Sequence, residues 1–161
     1  MTINIIINAQ EWLDNKYPDK TSVKEIELEV TDNNAVNNPS TTPSLEGDLK
    51  ITDYPNLKKV KILHKKNNSS YGLKIWNEVD MGKVTINSCP NLTEIDLKFM
   101  KAKEIDFQGN FENLKQAKLI GNKLTELCVG NLTNLRVLNI GGNIGNVPAK
   151  LKGLEKLAAI R

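Results

Sequence analysis

Apolar and polar residues alternate in short segments that recur along the chain. Four segments share the pattern Asn-Leu-x-x-apolar-x-apolar, where x is any residue; they are residues 56–62, 91–97, 113–119 and 134–140. A degenerate copy without the leading Asn lies at residues 23–28. The first apolar positions of the five copies are separated by 34, 35, 22 and 21 residues. Alternation with a period of two predicts short β-strands with one buried face, because successive side chains of a strand point to opposite faces.

A second series of apolar pairs lies between these segments. Its first positions are separated by 35, 21, 22 and 20 residues, so its intervals follow those of the first series. Two interleaved series with one period predict that each pass of the chain adds a short strand to each of two walls. The apolar positions then point inward, where only the stacking of successive passes buries them. The pairs are Leu49/Ile51, Val84/Ile86, Ile105/Phe107 and Leu127/Val129, with Val147 as the start of a fifth.

The repeated pattern is similar to that of a known family. Leu-x-x-Leu-x-Leu, followed in two copies by Asn122 and Asn143, resembles the leucine-rich repeat family over roughly residues 23–157. Residues 8–13 and 45–51 are similar to the starts of fungal leucine-rich repeat proteins. The resemblance implies an α/β repeat fold, a solenoid of short parallel strands stacked on two walls. It also implies that the Asn side chains satisfy turn backbone groups inside the coil, and that a concave face holds a protein partner.

The chain departs from the family pattern in three places. His64 or Lys65, and also Met100, stand near positions where the family has its Asn, so two turns are expected to close differently. Ala117 replaces a larger inward residue and leaves less apolar area to bury in its layer.

The first 22 residues are expected to form a helical N-terminal cap. Asn8, with Glu11 three residues later, has the form of a capping box and favours a helix from about Ala9 to Tyr17. Trp12 is expected to seal the first pass of the chain against the core, as terminal caps of repeat proteins do.

The repeats occupy residues 23–146 and contain two predicted loops. Residues 31–44 are rich in Asn, Pro, Ser and Thr, and residues 64–71 contain Asn-Asn-Ser-Ser, so both stretches are typical of loops. Residues 147–161 form either a last partial repeat or a C-terminal capping segment, and the chain is expected to be part of a longer protein.

The outward positions of the main strand series predict a partner-binding surface. Aligned copies give one column of Glu27, Lys61, Asp96, Lys118 and Asn139, and a second of Glu25, Lys59, Glu94, Gln116 and Val137. Opposite charges alternate between neighbours in these columns, which suits the wet face of a parallel sheet. The best candidate for contact with a partner is a line of outward apolar residues, Leu63, Ile120 and Val137. Apolar side chains that are exposed to water do not stabilise the protein. The predicted concave-face site is Lys59, Lys61, Leu63, Glu94, Asp96, Gln116, Lys118, Ile120, Val137 and Asn139.

Composition and charge limit the other partners. The 161 residues carry a formal net charge of +3, too small to imply a polyanionic partner. No apolar run is long enough to span a membrane, and no secretory signal is present. Cys89 is expected to be buried in a turn and Cys128 to face outward, too few for a disulfide framework. We therefore expect a cytoplasmic protein, monomeric rather than oligomeric, with no membrane partner.

Two alternatives to a protein-interaction module stay open. One is electrostatic binding of nucleic acid or acidic lipid through the basic run Lys58–Lys66, extended by Lys24, Lys115 and Arg136. The acidic residues beside these cations and the low aromatic content of 5% argue against this binding. No nucleic acid is therefore expected as a partner. The other is a structural role as one segment of a larger leucine-rich repeat protein.

Catalytic chemistry has no candidate in the sequence. His64 is the only histidine, and no close spacing supplies it with metal-ligating neighbours; it is expected to lie in a solvated loop. The glycine-rich residues 141–145 lack the Lys-Ser/Thr of a phosphate-binding loop and are typical of a turn. No serine, cysteine or lysine has a base partner implied by spacing. We therefore expect no catalytic residue, no metal, no cofactor and no enzyme activity.

Overall fold

The computed structural model describes residues 6–31, 44–65, 81–129, 131–143 and 159–160. The described part of the chain is an α/β fold with two parallel sheets and one helix. The helix is α1 (Ala9–Lys16). The strands are β1 (Ile6–Asn8), β2 (Glu25–Thr31), β3 (Ser44–Thr52), β4 (Lys59–Lys65), β5 (Met81–Asn87), β6 (Glu94–Lys98), β7 (Glu104–Gln108), β8 (Gln116–Lys118), β9 (Val137–Asn139) and β10 (Ala159–Ile160).

Up to β7, successive strands alternate between the two sheets. The smaller sheet has the order β1-β3-β5-β7 and the larger sheet the order β10-β9-β8-β6-β4-β2, with every neighbouring pair parallel. Leu127 and Val129, predicted as the next pair on the smaller wall, are buried but form no paired strand among the described residues. Val147 lies outside the described residues. The two predicted walls are therefore confirmed as far as β7.

The predicted columns are confirmed by the register of the larger sheet. Glu27 pairs with Lys61, Lys61 with Asp96, Asp96 with Lys118 and Lys118 with Asn139. The column that begins at Glu25 is paired in the same way.

The core lies between the two sheets and is made by the inward rows. On the larger sheet, one row is Ile26, Val60, Ile95, Ala117 and Leu138, all buried. On the smaller sheet, two rows are Leu49, Val84 and Ile105, and Ile51, Ile86 and Phe107. Burying one such aliphatic side chain contributes about 1.5 to 3 kcal/mol, so the stacked rows provide the main stabilisation of the fold.

The N-terminal segment contains the predicted helix and a strand that was not predicted. Asn8 caps α1, and its Oδ1 accepts hydrogen bonds from the backbone N–H groups of Gln10 (2.9 Å) and Glu11 (3.1 Å). Trp12 is buried in the core as expected. Residues 6–8, however, form β1, which extends the smaller sheet by pairing with β3. The helical cap assigned to residues 1–22 thus also contains a strand.

The outer edge of β2 is partly covered by the end of the helix. The backbone N–H of Glu27 donates to the Tyr17 hydroxyl (3.2 Å), and the Glu27 carbonyl accepts from Lys16 Nζ (3.3 Å). These contacts satisfy backbone groups that an uncovered edge strand would offer to another chain.

A buried asparagine, Asn122, closes the turn that follows β8 of the larger sheet. Asn122 is 2% exposed, and its Nδ2 donates to the carbonyls of Leu97 (2.9 Å) and Ile120 (3.4 Å). Its Oδ1 accepts from the backbone N–H groups of Met100 and Ala102, both at 3.2 Å. Because Asn122 serves the preceding turn as well as its own, that turn closes with the buried Met100 in place of an Asn.

The second predicted loop begins later than expected. Strand β4 continues through His64 and Lys65, and His64 is half-buried and paired with Val30. The prediction of a solvated loop histidine was therefore wrong. Residues 66–71 of that loop, and residues 32–43 of the first, lie outside the described residues.

The leading Asn of each repeat links neighbouring passes of the chain. Its Nδ2 donates to a backbone carbonyl of the preceding pass: Asn56 to Thr21 (2.7 Å), Asn91 to Pro55 (2.7 Å), Asn113 to Pro90 (2.9 Å) and Asn134 to Glu112 (2.8 Å). The sequence showed that this Asn recurs but not what it contacts.

Tyr54 offers a test of the core. Its side chain is fully buried, and its hydroxyl has no hydrogen-bond partner in the described part of the chain. Burial, with a smaller contribution from the Asp14 carboxylate, raises the pKa of Tyr54 to about 12.

Replacing Tyr54 by Phe is expected to raise the free energy of unfolding by about 1 kcal/mol at neutral pH, because an unsatisfied buried hydroxyl is removed. A folded-state pKa above the unfolded value of 10.0 makes stability fall as pH rises from about 10 to about 12. The Phe variant is expected to lack this part of the alkaline loss in urea titrations at neutral and alkaline pH. Tyr17→Phe is the control and is expected to lower stability, since the Tyr17 hydroxyl accepts a hydrogen bond. Equal effects of the two substitutions would contradict the prediction.

Candidate binding face of the larger sheet

The structure brings the ten predicted site residues together on the outer face of the larger sheet. Strands β4, β6, β8 and β9 contribute all of them except Ile120, which follows β8 by two residues. Nine are half-buried, and Asp96 is buried at 7% exposure. Their outward direction follows from the strand alternation, because the residues between them form the inward rows.

The ion pairs on this face do not follow the columns. Lys59 Nζ lies 3.9 Å from a carboxylate oxygen of Glu27, and Lys118 Nζ lies 3.5 Å from one of Glu94, so both pairs are diagonal across neighbouring strands. Gln116 also donates to Glu94, at 2.8 Å. The predicted alternation of charge is present, but long lysine side chains reach past the residue directly opposite.

Asp96 is the most buried charged group on the face. Its Oδ2 lies 3.0 Å from Lys98 Nζ in the same strand. Its Oδ1 is buried and has no hydrogen-bond partner among the described residues. A buried carboxylate oxygen without a donor is costly, which marks the centre of this face as a place where a donor would stabilise the protein.

The predicted line of apolar residues is not a line. Leu63 pairs with Lys98, and Ile120 lies two residues beyond the Asp96–Lys118 pair, so Leu63 and Ile120 occupy the same level of the sheet. Val137 pairs with Gln116, four residues earlier along the strand direction. Four residues of strand span about 13 Å. Val137 therefore lies apart from the other two.

Phe99 joins Leu63 and Ile120, and the sequence interpretation missed it. Its side chain is 49% exposed, and its backbone N–H donates to the Ile120 carbonyl at 2.9 Å. We name Leu63, Phe99 and Ile120 the apolar edge. Strict alternation after Ile95 and Leu97 would have pointed Phe99 inward.

Backbone conformation explains why Phe99 is exposed. Its φ is 59°, in the left-handed region, and the equivalent positions in the next two repeats are Gly121 (φ 67°) and Gly142 (φ 71°). A Cβ at Gly121 would overlap the Phe99 ring, so the ring lies directly against that glycine. A left-handed non-glycine residue costs about 1 to 2 kcal/mol. In the sequence, the alignment of Phe99 with these two glycines is the signal that could have indicated its left-handed backbone.

Exposed cations form a row beside this face. Lys24, Lys58, Lys115 and Arg136 each precede by one residue a member of the column that begins at Glu25, with Thr93 between the second and third. Backbone N–H groups link successive members, for example Lys58 to the Lys24 carbonyl at 2.8 Å. We name these four cations the basic row. All four side chains are exposed, and none makes an ion pair with another described residue.

The predicted basic run Lys58–Lys66 does not form one patch. Lys58 belongs to the basic row, whereas Lys59 and Lys61 lie on the sheet face in two different columns. Lys66 lies outside the described residues. The positive charge is therefore organised across strands rather than along one strand.

Among the described residues, no group of three potential metal ligands is present. An open groove of about 560 Å³ at the turns includes Cys89 in its lining, but this side chain is 1% exposed and burial raises the pKa of its thiol. Cys128 is exposed, as predicted.

A second charged cluster lies on the smaller sheet and is explained by the pairing of β5 with β7. Lys83 Nζ lies 2.6 Å from Glu104 and 3.0 Å from Asp106. Hydrogen bonds to these carboxylates raise the pKa of Lys83 to about 12, and Lys83 lowers the pKa of Asp106. Because the pKa of Lys83 is raised and that of Asp106 is lowered, these two groups stay charged near neutral pH and do not form a proton-transfer pair.

Comparison with known protein families, with curated proteins and with solved structures finds no match to this chain. In the described residues, no helix is long and apolar enough to cross a membrane.

Proposed function

We propose that this chain is a leucine-rich repeat solenoid that acts as a non-catalytic protein–protein interaction module, in signalling or scaffolding. The partner binds the outer face of the larger sheet, with the apolar edge as its anchor. The regular parallel register and the buried Asn122 support the assignment to this repeat class.

The observation that carries the proposed function is the exposed, strained Phe99. Exposing half of a phenylalanine side chain to water does not stabilise the protein. The left-handed backbone of Phe99 also costs free energy that a glycine at this position would avoid. Aromatic side chains flanked by smaller apolar residues are frequent anchors of protein interfaces. A partner that covers Phe99 together with Leu63 and Ile120 would offset that cost.

The proposal is tested by capturing partners on three baits, which are the parent protein and two matched variants. Phe99→Ser removes the anchor, whereas Ile6→Ser removes an equally exposed apolar side chain (51%) from β1, on the other sheet. Proteins from a lysate of the source organism are quantified by mass spectrometry, and each candidate is then titrated in purified form against the three baits. Circular dichroism establishes that the variants are folded.

We expect Phe99→Ser to weaken binding of the partner about thirtyfold or more, because truncating a central anchor residue costs about 2 kcal/mol or more. Ile6→Ser is expected to leave binding unchanged. A purified partner that binds the Phe99→Ser variant as tightly as the parent would refute the apolar edge as its anchor.

A further inference from the structure

We propose that the partner presents an acidic peptide segment, which lies along the basic row while an apolar residue elsewhere on the same partner contacts the apolar edge. This inference rests on the proposed function, and it names the chemistry of the partner that the face accepts.

The balance of unpaired charge supports an acidic partner. The cations within the sheet face are largely neutralised, since Lys59, Lys98 and Lys118 each pair with a carboxylate. The four cations of the basic row are exposed and have no such partner among the described residues. Among the described residues, Lys61 is one further unpaired cation on the face, and Glu25 is an unpaired carboxylate beside the row. The unpaired charge available for a ligand is therefore net positive and lies mainly at one side of the sheet.

The row has the dimensions of a short extended peptide. Its four members directly precede β2, β4, β8 and β9, and Thr93 fills the position before β6, so the row spans five neighbouring strands. Parallel strands are about 4.8 Å apart, so the row is about 19 Å long. About six residues of extended chain cover that length. Lys58, directly before β4, and Leu63, within β4, are five residues apart, which separates the row from the apolar edge by about 16 Å. One small domain can contact both.

A peptide fits the row better than a nucleic acid does. Glu25 and Glu94 lie immediately behind the row, in the column that begins at Glu25, and would repel a broad phosphate surface. No aromatic side chain belongs to the row, and Phe99 lies at the opposite side of the sheet, so bases would find no stacking platform among the described residues. A single extended acidic peptide can form its ion pairs with the basic row alone.

The inference is tested with a fluorescein-labelled peptide of about eight Asp and Glu residues, measured by fluorescence anisotropy at two salt concentrations. Lys58→Gln/Lys115→Gln neutralises two members of the row. Lys50→Gln/Lys103→Gln removes the same charge from exposed lysines on and beside the smaller sheet and is the matched control. Single-stranded DNA of equal charge is the competing probe.

We expect the parent and the control double variant to bind the peptide alike, and Lys58→Gln/Lys115→Gln to bind about tenfold more weakly. Equal weakening by both double variants, or no measurable binding by the parent, would overturn the inference. So would DNA that binds the parent more tightly than the peptide and responds to the row substitutions. Any of these results leaves the Phe99 capture experiment unaffected, so failure of this inference and failure of the proposed function are distinguishable.

Discussion

Replacing Asn122 by Ala is expected to lower the free energy of unfolding by about 3 to 5 kcal/mol. The side chain makes four hydrogen bonds to backbone groups, at 2.9 to 3.4 Å, within a buried turn. The substitution leaves several of these groups without partners, and each unsatisfied buried group costs about 1 to 3 kcal/mol. Chemical denaturation followed by circular dichroism measures the loss.

Asn91→Ala is the matched control for that experiment. Asn91 is exposed, and its Nδ2 donates one hydrogen bond, to the Pro55 carbonyl at 2.7 Å. Removing one exposed hydrogen bond is expected to cost only about 1 kcal/mol. If the two alanine variants were equally stable, the buried turn would not depend on Asn122 as described.

The register of the larger sheet was predictable because two independent constraints agree. Period-two alternation selects which residues point inward, and the intervals between copies select which residues lie side by side. A slip of one residue would turn Val60 and Ile95 outward and Lys61 and Asp96 towards the core. A slip of two residues would keep the apolar residues inward but break the alignment of the copies that the intervals select.

Strand β1 could not be predicted in this way. Its residues, Ile6, Ile7 and Asn8, directly follow Ile5, and three consecutive isoleucines show no alternation. Its place is determined by pairing with β3, which begins 36 residues after Asn8 in the chain. Such pairing over a long stretch of chain leaves no local signal.

Phe99 escaped prediction for a different reason. The alternation rule assumes extended backbone, and the left-handed φ of Phe99 ends that regularity one residue after β6. The ring then turns outward and covers Gly121. The diagonal ion pairs could not be predicted from the sequence pattern either. The register determines which backbone positions lie side by side, but it does not determine where the end of a lysine side chain lies.

The apolar edge and the basic row lie at opposite sides of the same sheet, and they have different expected roles. Interactions of exposed charges are screened by salt and mainly guide association and orientation. Burial of an aromatic ring contributes affinity that salt affects little. A partner that uses both would bind with moderate salt dependence and would dissociate rapidly when Phe99 is removed.

Replacing Ile95 by Ala is expected to lower the free energy of unfolding by about 4 kcal/mol, in the upper part of the range for such core truncations. Ile95 is fully buried between Val60 and Ala117 in its inward row. Ala117 is already small, so the substitution would place two alanines side by side and leave a cavity that the neighbouring side chains cannot fill. Urea denaturation measures the loss, with Ile6→Ala on the exposed edge strand as the control and an expected cost below about 1 kcal/mol. An Ile95→Ala variant as stable as the parent would mean that the register is displaced by one residue, with Glu94 and Asp96 pointing inward and the binding face composed of different residues.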